Sequence, residues 1–138
     1  YLRGDRLRHA EQPVDEIDRV CGVVGPNVAI ERGIEVDRLF YFGESVLLPE
    51  YRGQGIGHAF FDQREAAGRA AGAVQASFCA VVRPADHPSR PADYQPLDAF
   101  WQKRGYRPIM GFTTDFDWKE IGGAEEVSHQ MQYWIGPL

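Results

Sequence analysis

One stretch constrains this chain's fold more than any other: Pro49-Glu50-Tyr51-Arg52-Gly53-Gln54-Gly55-Ile56-Gly57-His58. Before it runs Leu39 to Leu48 (LFYFGESVLL), rich in aromatic and branched residues, which reads as a strand that Pro49 ends. After it, Gly57 to Ala71 is alanine-rich and free of proline. It reads as a helix ending at Gly72, with Ile56, Phe60, Ala67 and Ala71 as the expected core stripe. Val74 to Val82 (VQASFCAVV) is the next strand. Strand, tight turn, helix and strand predict two adjacent parallel strands joined by a crossover helix, because parallel strands need a long connection.

The turn is chemically pointed. The first N–H groups of a helix have no partner within it, and the aligned peptide dipoles make that end electropositive. Glycines bend freely and leave no side chain in the way, so these N–H groups can converge on an anion such as phosphate. Arg52 adds a fixed positive charge with several donors. A Walker loop needs G-x-x-x-x-G-K-[ST], and the chain has none. Gly53 and Gly55 fit the first half of the dinucleotide fingerprint G-x-G-x-x-G, but its third glycine position is His58. A purely structural strand-to-helix turn is the bland alternative.

The rest of the chain fits one domain. At 138 residues with 43% hydrophobic and 25% charged residues, residues 1–138 form a single α/β domain of the α+β kind, neither disordered nor membrane-spanning. The formal charge is −5 and no basic stripe occurs, which argues against a nucleic-acid partner. Two cysteines, Cys21 and Cys79, are too few for a disulfide framework, so a reducing, cytoplasmic setting is expected. No signal segment opens the sequence at Tyr1. Pro13 followed by Val14, Ile17, Val20, Cys21 and Val24 predicts a helix, and Asn27 to Arg32 a short second one closed by Gly33. Arg83 to Pro96 carries four prolines and reads as a loop. Leu97 to Arg104 is a short helix closed by Gly105. Tyr106 to Trp118 reads as a strand, Ile121 to Val127 as a connection and Met131 to Ile135 as a last strand.

The pattern [QR]-x-x-G-x-[GA], here Arg52-x-x-Gly55-x-Gly57, resembles the acyl-CoA pyrophosphate loop of the GNAT N-acetyltransferase superfamily. LLPEYRGQGIG resembles that family's strand-Pro-x-Tyr-Arg-Gly-x-Gly-Ile-Gly segment, and Phe100-Trp101-Gln102-Lys103-Arg104-Gly105-Tyr106 its second helix ending. The resemblance covers about Leu39 to Leu138. It implies a mixed central sheet flanked by helices, with the N-terminal elements short or missing. It also implies transfer of an acetyl or other short acyl group from coenzyme A to a small-molecule or peptide amine, by direct attack in a ternary complex. Arg52, Gly53, Gln54, Gly55, Ile56, Gly57 and His58 would then hold the acetyl-CoA pyrophosphate. The N–H groups of Leu47 or Leu48 would polarise the thioester. A non-catalytic acyl-CoA sensor on the same fold is the alternative.

The family often places a general base on the strand of the first motif, and Glu44 lies there. A carboxylate in an apolar strand costs free energy unless paired or solvated, which nominates Glu44 as base. A solvent-facing strand-edge residue is the other reading. Where the family often has an acidic tyrosine, this chain has Trp101, an indole that only donates and is expected to pack, which leaves Tyr94, Tyr106 or water to protonate the departing thiolate. Cys79 and Cys21 read as core thiols, and His9, His58, His87 and His129 lack metal-ligand spacing, so no metal is expected. Asp86, His87, Arg90, Asp93 and Tyr94 in the proline-rich loop are candidate acceptor contacts. About 38 residues precede the first strand, fewer than the family's usual elements need. An open sheet edge or apolar face is therefore expected, which a homodimer would cover.

Overall fold

The computed structural model describes residues 31–88 and 90–138. Their elements are β1 (Leu39–Tyr41), α1 (Ile56–Ala70), β2 (Gln75–Val81), α2 (Asp98–Lys103), β3 (Arg107–Lys119) and β4 (Glu126–Pro137). They form an α+β fold around a four-stranded mixed sheet of order β1-β2-β4-β3. β1 pairs with β2 in parallel, from Leu39↔Gln75 to Tyr41↔Ser77. This is the pairing the glycine turn and its helix predict. β4 pairs antiparallel with both β2 and β3. The helix expected over Pro13 to Val24 and most of the one over Asn27 to Arg32 lie outside the described residues. Gly33, at φ +72°, does make the left-handed stop expected of it.

Each face of the sheet carries its own core. On the face of α1 and α2, Phe42, Phe61, Ala76, Phe78, Tyr106 and Trp134 are buried together. Phe78 and Trp134 sit directly across from each other on β2 and β4, with rings 3° from parallel and centroids 6.3 Å apart. On the opposite face, Ile34, Leu39, Ile109, Phe112, Tyr133 and Ile135 are buried. Alternation along the strands generates both, because successive side chains point to opposite sides.

Four features differ from the sequence reading. The strand expected over Leu39 to Leu48 pairs only as far as Tyr41; one further bond, Phe42 N–H to Ser77 O at 2.8 Å, ends the contact with β2. The chain then diverges from β2. The buried face of α1 centres on Phe61 and Gly68, not on Ile56, Phe60, Ala67 and Ala71. Gly57 and Gly68 explain the rotation. A Cβ on Gly57 would meet Phe100 at 3.9 Å, and one on Gly68 would lie 3.3 Å or less from Phe40. The helix packs through its smallest residues, which carry little hydropathy signal. The last strand is Glu126–Pro137 instead of Met131–Ile135, and the connection before it shrinks to a turn. The polar residues Ser128, His129 and Gln130 hide the strand's start, where pairing with β3 stabilises it. Finally, β3 breaks register between Pro108 and Thr113, around Gly111 at φ +84°. The Gln132 side-chain amide donates there to Ile109 O at 2.8 Å and Phe112 O at 3.0 Å, replacing lost ladder bonds.

β1 and β3 are the outer strands of this sheet, and Val46, Met110 and Ile121 are apolar and exposed. A tighter constraint sits at Gly136. A Cβ there would lie 2.7–3.0 Å from three ring atoms of the buried Tyr106. Gly136→Ala is therefore expected to destabilise the fold by about 1–3 kcal/mol, as overpacked cores do. Urea unfolding checks this; an unchanged midpoint would show that the ring shifts freely.

Candidate active site

The glycine turn is assembled from short local bonds. Leu48 O accepts from Tyr51 N–H at 3.0 Å, Pro49 O from Arg52 N–H at 3.1 Å, and Glu50 O from the Gln54 side-chain amide at 2.8 Å. Pro49 starts the 3-10 turn Pro49–Tyr51, its fixed φ matching the geometry. Gly53 at φ +72° and Gly55 at φ +78° then make the left-handed steps that swing the chain into α1, with Gly55 as its N-cap. No side chain caps that end. Among the described residues, none accepts a hydrogen bond from the backbone N–H groups of Gly53, Gln54, Gly55, Ile56, Gly57 or His58. Six donors thus gather at the positive end of a 15-residue helix. A Cβ on Gly53 or Gly55 would project into open space. Arg52 is exposed beside them, with no side-chain partner among the described residues.

The segment between β1 and the turn carries the other candidate residues. Leu47 is half-buried and Leu48 exposed. Glu44 is exposed, with no described partner for its carboxylate, while its carbonyl accepts from Arg64 Nη2 at 2.9 Å. Arg64 Nη1 also donates to the Ser45 hydroxyl. No sequence argument had singled out Arg64, because a lone arginine on an amphipathic helix reads as a solvated residue.

His58, although in the turn, faces α2. Its ring stands edge-on to Phe100 with centroids 4.8 Å apart, and Arg104 Nη1 donates to its Nδ1 at 3.1 Å. Arg104 also bonds Asp62 at 2.6 Å and Glu65 at 3.0 Å, joining α2 to α1. Burial works against its charge, but the bonds to Asp62 and Glu65 outweigh it and raise the Arg104 pKa.

Neither aromatic residue near the second motif offers a ready proton. Trp101 packs between Phe78 and Trp134, at centroid distances of 5.2 and 5.0 Å. Tyr106 is buried and donates to Glu65 at 3.1 Å. Burial first, and then the Glu65 charge, push its phenol well above its usual range. The sign of the pH effect follows. An unfolded tyrosine ionises near pH ~10, whereas folded Tyr106 keeps its proton, so its contribution to stability is whole below that pH and falls as pH rises further. Tyr106→Phe should cost about 1–3 kcal/mol at neutral pH and flatten the alkaline loss. Unfolding measured from pH 7 to pH 11 tests both; an unaltered alkaline slope would assign it to other groups.

The loop after β2 folds on itself. Arg90 donates to Arg83 O at 3.0 Å and lies 4.5 Å from the centre of the Tyr94 ring. His87 contacts the Arg83 guanidinium. Asp86 and Asp93 are exposed. Arg83 pairs with Glu120 at 2.5 Å, and that bond holds the Glu120 carboxyl below its ordinary range. His129 is buried against Trp118, with ring centroids 3.6 Å apart. Cys79 is half-buried beside the second core, while Cys21 and His9 lie outside the described residues. Among the described residues, no three His, Cys, Asp or Glu side chains converge as metal ligands, and no helix is long and apolar enough to cross a membrane.

No family model and no curated protein matches the chain. Among the solved structures that resemble it, two do so over 73% of its length. One, from Agrobacterium tumefaciens, is a protein proposed to be an acetyltransferase, at 14% identity and a TM-score of 0.45. The other is the IAA acetyltransferase of Bacillus cereus ATCC 14579, at 13% identity and a TM-score of 0.49. The chain spans 58% and 63% of those two proteins.

Proposed function

We propose that the chain transfers an acetyl or other short acyl group from a coenzyme A thioester to an amine. The observation that carries this reading is the pairing of two features at the carboxyl end of β1. Six N–H groups without a partner among the described residues line the glycine turn, and β1 parts from β2 just before it. The first suits a pyrophosphate. The second frees strand backbone groups along which the pantetheine arm would run, as the sequence resemblance to GNAT enzymes implies.

In that arrangement the thioester carbonyl lies near the N–H groups of Leu47 or Leu48, which polarise it. Glu44 takes a proton from the incoming ammonium, directly or through water, and the neutral amine attacks the carbonyl carbon. The C–N bond forms, the nitrogen gives up its second proton to water, the C–S bond breaks, and the thiolate leaves. With Trp101 packed and Tyr106 held by Glu65, water protonates the thiolate. Much of the rate comes from holding both reactants together. The protein acts on a small-molecule or peptide amine in the cytoplasm, and a homodimer would cover the exposed apolar side chains.

The missing phenol favours a second reading, an acyl-CoA-binding module without turnover. Following thiol release from acetyl-CoA across a panel of amines separates the two. Release that depends on an amine supports the transferase. Tight binding without release across the panel supports the module.

A further inference from the structure

Beyond Phe42 the segment 43–48 makes no hydrogen bond to β2. A diverging strand would ordinarily zip back onto its neighbour or fray, because its N–H and C=O groups lack ladder partners. Here a side chain from α1 takes hold of it. Arg64 donates through Nη2 to Glu44 O at 2.9 Å and through Nη1 to the Ser45 hydroxyl, and its guanidinium lies 5.9 Å from the centre of the Phe42 ring. These contacts begin at the residue where β1 leaves β2 and continue along the departing chain.

Arg64 is unusual in a second respect. It is half-buried, and burial lowers its pKa, yet it has no carboxylate partner among the described residues. Arg83 and Arg104, which also join elements across the fold, are neutralised by carboxylates, and Arg32, which like Arg64 donates to a carbonyl (Met110 O), is exposed. A charge held in a partly desolvated place against neutral oxygens costs free energy. A long cation whose sole task was stability would do better exposed or paired. The planar fork fits the task of gripping two oxygens at a fixed separation, which a point-charge ammonium cannot reproduce.

We infer that Arg64 is a positioning residue that holds β1's extension apart from β2 and so keeps its backbone free for the acyl arm and its Leu47 and Leu48 N–H groups aimed. It touches no reacting atom. This rests on the acyl-CoA reading, and it separates two parts of the ligand. The glycine turn binds the diphosphate without help from Arg64, whereas the pantetheine arm needs the freed segment.

The test measures affinity for two ligands by calorimetry, using wild type, Arg64→Gln and Arg64→Lys. Acetyl-CoA probes turn and segment together, and adenosine 3′-phosphate 5′-diphosphate probes the turn alone. Arg64→Gln should weaken acetyl-CoA binding about tenfold, the equivalent of one well-made hydrogen-bonded contact, with diphosphate affinity unchanged. Arg64→Lys, which reaches one oxygen instead of two, should fall between. If Arg64→Gln does not fold, the lysine variant carries the test through the same ratio. Equal affinities of variant and wild type for both ligands, or an equal loss for both, would overturn the inference alone. A wild-type protein that binds neither ligand would overturn the acyl-CoA reading and this inference with it.

Discussion

Glu44→Gln is expected to lower turnover by about 10²–10⁴-fold while leaving acetyl-CoA affinity intact, the usual worth of a general base. An amine acceptor is mostly protonated near neutral pH, and only its neutral form attacks a thioester. Glu44 is the sole carboxylate between β1 and Pro49, and its backbone is held by Arg64 while its side chain stays exposed. The amide of glutamine keeps the shape and cannot take a proton. The deficit should shrink as pH rises, since more of the amine is then already neutral. Steady-state rates from pH 6.5 to pH 9.5 supply the check. A variant with near-native turnover at pH 7 would make Glu44 structural and leave deprotonation to water.

Gly55→Val should reduce coenzyme A affinity about a hundredfold or more. Gly55 sits at φ +78°, a conformation closed to β-branched residues. The strain, about 1–3 kcal/mol, would be relieved by rotating the turn, which scatters the six N–H groups. Room for the side chain is not the issue, since a Cβ there meets nothing within 4 Å. Arg52→Ala should cost less, about tenfold, because one charged contact is lost and the backbone donors stay. Calorimetry on the folded variants decides it. Unchanged affinity in Gly55→Val would mean that the turn is only a connection.

Much of the fold could be read from local signals. The three glycines of the turn and Gly72 mark helix start and helix stop by backbone chemistry alone, and the parallel pairing follows from the crossover length. Gly105, at φ +90°, likewise ends α2 near the expected place. What escaped the sequence depends on contacts between distant residues. The face of α1 is set by Phe61 meeting Phe42, Phe78 and Tyr106, and by Gly68 letting Phe40 approach. Hydropathy along one helix contains neither fact. The early end of β1 is also invisible locally, because Gly43 to Leu48 keeps strand composition after losing its partner.

The site divides in the same way. Turn geometry is a property of a contiguous string, so Gly53, Gly55 and the open helix end were predictable. His58 belongs to that string but turns to Phe100 and Arg104, 42 and 46 residues later in the sequence. Arg64 grips a segment about 20 residues upstream. Nothing in its own neighbourhood distinguishes it from the solvated arginine Arg69 on the same helix.

The central claim is that the glycine turn and the parted strands together hold an acyl-CoA. Titrating the isotope-labelled protein with acetyl-CoA, and following its backbone amide resonances, tests this most directly. The largest shifts are expected at the amides of Gly53 to His58, a second group at Gly43 to Leu48, and little change at the distant turn between β3 and β4. Shifts absent from Gly53 to His58 at saturating acetyl-CoA, or full displacement of the ligand by ATP or NAD at equal concentration, would contradict it.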